Sequence, residues 1–160
     1  DNKEAVAKDV GIGAVVYSAV AQSRINDIVF SYDKVLSFEG ETGPYIQYTH
    51  ARCCSVLKKQ NSDTKDINYS LLTGDEEMDI IKLLENYPAV IKNAAKDYQP
   101  CYISRFLISL CSAFNKFYFD NRIISDDPSL TSARILLTKK VRDTIRSGLY
   151  LIGLKAPEAM

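Results

Sequence analysis

Residues 101–118, CYISRFLISLCSAFNKFY, carry the strongest periodic pattern in this sequence. Apolar side chains recur there at the three- and four-residue spacing that places them on one face of an α-helix. The pattern predicts a helix that buries one long face at the centre of a helical bundle. The side chains on that face are Ile103, Phe106, Leu107, Leu110, Cys111, Phe114, Phe117 and Tyr118.

A second long helix is predicted after Asp127. Aspartate is a favourable N-cap, and Pro128 at the first helical position loses no hydrogen bond that the helix needs. Gly153 near the C-cap and Pro157 beyond it mark the end. The apolar stripe between these signals consists of Leu130, Ala133, Leu137, Val141, Ile145, Leu149 and Ile152.

The upstream half also contains helix signals. Pro44, with Thr42 or Gly43 as the cap, begins a helix that extends to about Lys59. Thr73 followed by Glu76 has the spacing of a capping box, which starts the next helix. We expect Tyr87-Pro88 to end or bend that helix, and a helical face continues beyond it as far as Pro100.

The first forty residues are less regular. Residues 5–20 are mostly small and apolar and suit a closely packed helix, while Ile28-Val29-Phe30 predicts one strand or an extended connection. Gly11 and Gly13 lack the other features of a dinucleotide-binding loop. The expected fold is therefore mainly α, with about four or five helices between residues 42 and 153.

Composition limits the classes of function. The chain has 160 residues, enough for one compact domain with a fragment of a second, and a formal net charge of zero, which argues against a wholly basic nucleic-acid binder. The four cysteines form no C-x-x-C pair, so we expect neither zinc nor disulfides, and we expect Cys53, Cys101 and Cys111 to be buried thiols in a reducing cytosol. No signal peptide or membrane span is visible. Because the sequence starts at Asp1 within a helical pattern, we expect it to be an excised segment.

Two helix faces are candidate binding surfaces. Tyr45, Tyr48, Arg52 and Lys59 recur on one face of the helix 44–59, where rings could stack unpaired RNA bases and cations could meet phosphate. The alternative is that both tyrosines pack against neighbouring helices.

The last helix has a basic stripe of Lys139, Arg142 and Arg146, with Arg134 and Lys140 nearby, that suits a phosphate backbone. An ordinary solvated face explains such a stripe equally well. Acidic side chains concentrate instead in residues 63–85.

The sequence shows no catalytic constellation. His50, the only histidine, has helical spacing to Cys53 and Cys54, which supplies at most half of a metal site and no third group to orient a Cys–His pair. We expect His50 to be structural and to make one hydrogen bond. No phosphate-binding loop and no serine-hydrolase or zinc-protease motif occurs.

Longer motifs are more specific. Residues 36–52, LSFEGETGPYIQYTHAR, follow a Gly-x-Gly-Ala-x-x-Tyr segment at 11–17. Residues 113–118, AFNKFY, and the ending GLKAPEAM at 153–160 complete a series that covers nearly the whole chain. In this series the chain resembles the C-terminal part of arginyl-tRNA synthetases, which are class I aminoacyl-tRNA synthetases.

The resemblance implies a division of the chain and a role. Residues 1–40 would be the tail of a catalytic domain and the junction after it. Residues 41–160 would form a helical anticodon-binding domain that binds the anticodon stem-loop of arginine-accepting tRNA. The residues that would line the RNA surface are Tyr45, Tyr48, Arg52, Asn115, Tyr118 and Met160, with Arg142 and Arg146 against backbone phosphate.

The resemblance also implies an activity for the full-length chain, which would attach arginine to its tRNA with ATP and Mg. The H-I-G-H and K-M-S-K-S-like motifs of that activity are missing here, so we expect no cofactor, no metal and no activity in this segment alone. We further expect a cytoplasmic monomer without membrane contact. The competing hypothesis is a helical protein–protein interaction domain without RNA binding. Two departures from the family pattern are Ala159, where a basic residue is usual, and Cys101-Tyr102 after Pro100; the first argues against an anticodon-loop contact from Ala159.

Overall fold

Six α-helices account for most of the residues that the computed structural model describes, which are 3–59 and 67–160. A single 3-10 turn, Tyr69–Leu71, precedes the fourth helix. No helix in the described ranges is both long and apolar enough to cross a membrane. The helices are α1 (Lys3–Val20), α2 (Tyr32–Val35), α3 (Gly43–Lys58), α4 (Asp75–Asp97), α5 (Cys101–Asp120) and α6 (Pro128–Leu151).

The predicted stripes of α5 and α6 form the core. All the apolar positions of the α5 stripe are buried except Tyr118, which is 41% exposed. The α6 stripe is likewise buried, apart from the half-buried Leu130 at its beginning. The mainly helical fold class is therefore confirmed, and it rests on the periodicity that the sequence displays.

Helix α1 crosses α3 at a close approach of two backbones. A Cβ atom added to Gly43 would lie 2.8 Å from the carbonyl oxygen of Gly13 and 2.9 Å from Cβ of Tyr17. Only glycine leaves room for the two helices at this distance. Because α3 also packs against α5 and α6, this crossing ties the first helix to the bundle.

Two predicted helix starts are confirmed and one is shifted. Thr42 Oγ1 accepts from the Tyr45 N–H at 3.2 Å, and Asp127 Oδ1 accepts from the Ser129 N–H at 2.8 Å. The prediction of Thr73 and Glu76 as a capping pair is wrong by one residue. The N-cap of α4 is Gly74, whose N–H donates to Oε2 of Glu77 at 2.9 Å.

Pro88 does not end a helix, because α4 runs through it from Asp75 to Asp97. Proline removes one backbone hydrogen bond, so packing must offset the loss. The ring of Tyr87 stacks on Phe106 with the two ring centroids 5.1 Å apart, and its hydroxyl donates to Ser147 Oγ at 3.0 Å. These contacts with α5 and α6 hold the middle of α4 in place.

The segment Ile28-Val29-Phe30 forms a connection and not a strand. It joins α1 to α2, and Val29 is 91% exposed. Residues 3–59 and 67–160 contain no strand with which it could pair. A β-prone sequence needs a partner to form a sheet, and this one has none among the described residues.

Candidate nucleic-acid interface

The guanidinium of Arg52 lies between two tyrosine rings. Its central carbon is 4.9 Å from the ring centroid of Tyr48 and 5.0 Å from that of Tyr118. Tyr48 and Arg52 are four residues apart on α3, and Tyr118 reaches them from α5. Cation–π attraction holds such an arrangement without a carboxylate partner.

A side-chain network beneath the arginine fixes its position. Asn115 Oδ1 accepts from Nη1 of Arg52 at 2.6 Å. The amide nitrogen of Asn115 donates to the Tyr45 hydroxyl and to Thr49 Oγ1, both at 3.0 Å. Because the oxygen and both hydrogens of the Asn115 amide are engaged, the side chain holds one orientation and Arg52 is preorganised.

A cavity with a volume of about 510 Å³ opens beside Arg52. We call it the aromatic cavity; it is lined by Tyr48, Arg52, Tyr118, Lys58, Lys59 and residues 158–160, among others. Tyr48 and Tyr118 are each 41% exposed, so their rings are accessible from it. Lys58 is 3.9 Å from Glu158, whereas Arg52 forms no ion pair with a described carboxylate.

The structure therefore brings six of the eight predicted RNA-binding residues into one region. Tyr48, Arg52, Tyr118 and Met160 line the aromatic cavity, while Tyr45 and Asn115 belong to the network below it. The hypothesis that Tyr45 packs against a neighbouring helix fits its half-buried position. Tyr48 is different, because its ring is open to solvent and contacts Phe38 edge-on at a centroid distance of 6.3 Å.

Arg142 and Arg146 lie outside the lining of the aromatic cavity. Arg142 donates to Asp143 Oδ1 through Nε at 2.9 Å and Nη2 at 2.6 Å. The positive charges of both arginines act to lower the pKa of His50, a residue of α3 that does not line the cavity. They form a second basic area beside the C-terminal segment.

Arg134 does not belong to the basic face of α6 that the sequence suggests. Its Nε donates to Oε1 of the buried Glu77 at 2.7 Å, and its Nη1 donates to the Arg122 carbonyl at 2.7 Å. The side chains of Arg134 and Glu77 are only 14% and 2% exposed. Arg134 therefore connects α6 to the start of α4 and is not free to meet a phosphate.

The acidic side chains noted in the sequence lie between residues 63 and 85. Of these, residues 63–66 lie outside the described residues.

The C-terminal segment, residues 154–160, crosses α3. Gly153, with a φ of 81°, turns the chain back after α6, as a glycine at this position allows. Gln47 Nε2 donates to the Lys155 carbonyl at 2.9 Å, and Nδ1 of His50 is 2.8 Å from the Pro157 carbonyl. A carbonyl only accepts, so Nδ1 of His50 carries the proton.

His50 is structural, as predicted, and burial lowers its pKa so that the neutral form is favoured. Cys54 Sγ is 3.9 Å and 4.0 Å from the two ring nitrogens, so it does not lie along the lone pair of either. Burial raises the pKa of the Cys54 thiol, so its protonated form is favoured. This geometry does not activate a thiolate nucleophile.

The other cysteines behave as buried thiols. All four are free and buried, which confirms the burial predicted for Cys53, Cys101 and Cys111 and adds Cys54. Burial raises the pKa of Cys111 to about 12, so it stays protonated at neutral pH. Among the described residues, no group of three or more His, Cys, Asp or Glu side chains could hold a metal ion.

Two side chains that hold this region together were not identified from the sequence. Thr49 accepts from Asn115 beside Tyr45, and its position four residues after Tyr45 was the available signal. Gln47 is fully buried and contacts α1 as well as the C-terminal segment. The available sequence signal for Gln47 was its spacing, since it follows Ile46 and lies four residues after Gly43, on the same face of α3.

Comparison with known proteins places this chain in a family. The model of the DALR anticodon binding domain matches residues 46–160. The arginine–tRNA ligases of Halothermothrix orenii and Alkaliphilus metalliredigens are each 48% identical over 161 aligned residues, which include 100% of this chain and 28% of the relative. The chain thus spans only 28% of the length of these curated relatives.

Solved structures agree. The arginyl-tRNA synthetase of Thermus thermophilus matches 100% of this chain and 28% of its own, with a TM-score of 0.93 and 31% identity. The Plasmodium falciparum arginyl-tRNA synthetase matches 97% of this chain and 28% of its own, with a TM-score of 0.86; at 24% identity it supports the fold alone. The chain therefore belongs to the DALR anticodon binding domain family, in the form found in arginyl-tRNA synthetases.

Proposed function

We propose that the aromatic cavity binds an unstacked base of the anticodon loop of arginine-accepting tRNA. The observation that carries the proposal is the Arg52 guanidinium held between two accessible tyrosine rings. Proteins read single-stranded RNA bases by stacking them on aromatic rings or guanidinium planes and by hydrogen bonds to base edges. The volume of about 510 Å³ lies within the usual range of small-ligand pockets, about 300–1,000 Å³.

The side chains have distinct roles in this proposal. Tyr48 and Tyr118 supply stacking surfaces, and Met160 supplies an apolar wall on the side of the C-terminal segment. Arg52 donates to a base edge or a phosphate with the N–H groups that Asn115 leaves free. Holding Arg52 in place before RNA arrives lowers the entropy cost of binding.

Charge around the cavity favours a polyanion. Arg52, Lys58 and Lys59 line it together with one acidic side chain, Glu158. Arg142 and Arg146 extend positive charge to the other side of the C-terminal segment and would meet phosphates of the stem. The neutral total charge does not oppose this, because none of the acidic side chains of α4 lines the cavity.

The whole protein is the subject of a broader proposal. We infer that residues 41–160 form the anticodon-binding domain and that residues 1–40 belong with a catalytic part. That longer protein attaches arginine to its tRNA with ATP and Mg, in the cytoplasm and as a monomer. The support is the similarity over 100% of this chain to proteins named arginine–tRNA ligases.

The proposal is tested with two RNA fragments of equal length. Fluorescence titration would measure the affinity of the 160-residue chain for the anticodon stem-loop of arginine tRNA and for an acceptor-stem hairpin at the same salt. We expect the stem-loop to bind at least about tenfold more tightly, since only its loop presents the anticodon bases. Equal affinities would mean that the chain binds RNA by charge alone.

A further inference from the structure

The C-terminal segment has little secondary structure to hold it. It follows α6, and its one regular backbone bond to that helix is the Leu154 N–H to the Leu149 carbonyl, at 2.8 Å. Its last residues nevertheless line the aromatic cavity. The carbonyl groups of residues 155–157 therefore need partners from elsewhere in the fold.

Gln47 supplies the first partner. Its side chain is fully buried, and the amide nitrogen donates to the Lys155 carbonyl at 2.9 Å and to the Asp9 carbonyl of α1 at 3.3 Å. Both amide hydrogens are thus used on main-chain oxygens of two other parts of the chain. Its Oε1 atom has no partner among the described residues. A buried unpaired acceptor is destabilising, so the contribution of Gln47 to the fold comes from its two donated bonds.

His50 supplies the second partner, one helical turn further along α3. It is 1% exposed, and Nδ1 donates to the Pro157 carbonyl at 2.8 Å. Gln47 and His50 are spaced i and i+3, so they lie on one face of α3. Neither residue lines the aromatic cavity.

We propose that Gln47 and His50 are positioning residues that lock residues 155–157 onto α3 and thereby hold Met160 at the aromatic cavity. They act on the binding site only through the C-terminal segment. Because both bonds end on main-chain carbonyls, the lock does not depend on the side chains at positions 155 and 157. The part of the inference that concerns RNA rests on the proposed function, whereas the lock itself does not.

The lock is tested without RNA by digestion with a carboxypeptidase, followed by mass spectrometry of the intact chain. Gln47→Met and His50→Phe keep most of the side-chain volume and remove the donors. We expect each to release residues 155–160 about five- to tenfold faster than the original chain, as the loss of one buried hydrogen bond implies. His50→Asn keeps an N–H near the position of Nδ1 and should restore resistance.

The control is Ile80→Ala, a destabilising change at a fully buried position of α4. Digestion is compared at temperatures equally far below each variant's melting temperature. Equal release from the original chain and from both donor variants would overturn the lock. Faster release from Ile80→Ala to the same degree would also overturn it, because general loosening would then explain the result.

The link to the cavity is tested by a double-mutant cycle on tRNA affinity. We expect Met160→Ala and Gln47→Met to weaken binding, and the double variant to bind no more weakly than Met160→Ala alone. Additive effects, or an unchanged affinity of Met160→Ala, would overturn the role of Met160 in this coupling. If the original chain fails to bind tRNA, the proposed function fails, and the digestion experiment still decides the lock.

Discussion

The guanidinium of Arg52 donates a 2.6 Å hydrogen bond to Oδ1 of Asn115, across the contact between α3 and α5. Asn115 is itself held by the Tyr45 hydroxyl and by Thr49. The packing of α3 against α5 therefore fixes the position of the Arg52 guanidinium, although arginine is a flexible side chain. The effects expected for substitutions of Arg52 and Tyr118 depend on this arrangement.

Arg52→Lys keeps the positive charge and removes the planar donor group. We expect tRNA affinity to fall about tenfold, because stacking with two rings and the bond to Asn115 are lost together. The dependence of affinity on salt should stay the same, since the charge is unchanged. Titrations at several salt concentrations, with Arg52→Gln as the neutral comparison, measure both quantities. A lysine variant with the original affinity would show that charge alone suffices.

Tyr118→Ala and Phe117→Ala should affect different properties, although the two residues are adjacent. Phe117 is fully buried, so its truncation should lower the free energy of unfolding by about 3–5 kcal/mol. Tyr118 is 41% exposed, so its truncation should mainly weaken tRNA binding, by about 1–3 kcal/mol for a lost base stack. Urea unfolding and RNA titration separate the two effects. If Tyr118→Ala collapses the melting temperature while the folded fraction binds normally, Tyr118 belongs to the core.

Charge reversal separates the tRNA proposal from the protein-interaction hypothesis. Arg146→Glu should weaken tRNA binding and reduce its salt dependence, because Arg146 lies in the basic area beside the C-terminal segment. Arg105→Glu makes the same change of charge at an exposed position of α5 and is the matched control. It lies roughly 15 Å along the helix from Asn115, given the rise of about 1.5 Å per residue. Equal losses from both variants would reflect net charge only, and no loss from either would favour the protein-interaction hypothesis.

The stability of the chain should fall as the pH drops below 6.5, the ordinary pKa of histidine, through His50. Burial lowers the pKa of His50 in the folded state, and the neighbouring Arg142 and Arg146 act in the same direction, while the bond to Pro157 and the charge of Glu158 oppose them. Between the lowered pKa and 6.5 the unfolded chain binds more protons, so this contribution is complete above 6.5 and is lost as the pH falls through the window.

Urea unfolding of the original chain and of His50→Asn across that window measures the effect. Other titrating groups are shared by the two proteins and cancel in the difference. The advantage of the original chain over the variant should shrink as the pH falls. A difference that does not change with pH would show that His50 titrates alike in the folded and unfolded states.

Much of the fold was predictable because it follows from local rules. The stripes of α5 and α6 and the caps at Thr42 and Asp127 depend on residues a few positions apart. Of the two outcomes expected at Pro88, an end or a bend, the end is wrong, because packing of Tyr87 against other helices outweighs a local break signal. The helix start at Gly74 was misplaced because Glu77 and not Glu76 is held, by Arg134 from 57 residues away.

The candidate surface could be predicted only in part, because its two halves come from helices that lie far apart in the sequence. The face of Tyr45, Tyr48 and Arg52 is visible in the spacing of one helix, but its meeting with Asn115 and Tyr118 depends on how α3 and α5 pack. Without the family motifs, nothing local joins the two faces. Gln47 was missed because a buried amide is recognised by its partners, Asp9 and Lys155, which lie far away in the sequence.

The most direct test of the account compares two full-length tRNAs that differ only in the anticodon. The affinity of the 160-residue chain for arginine tRNA is measured beside that for the same tRNA with its anticodon bases replaced, at one fixed salt concentration. Reading of the anticodon at the aromatic cavity predicts binding at least about tenfold tighter to the unaltered tRNA, the equivalent of roughly 1.4 kcal/mol. Equal affinity for the two would contradict it.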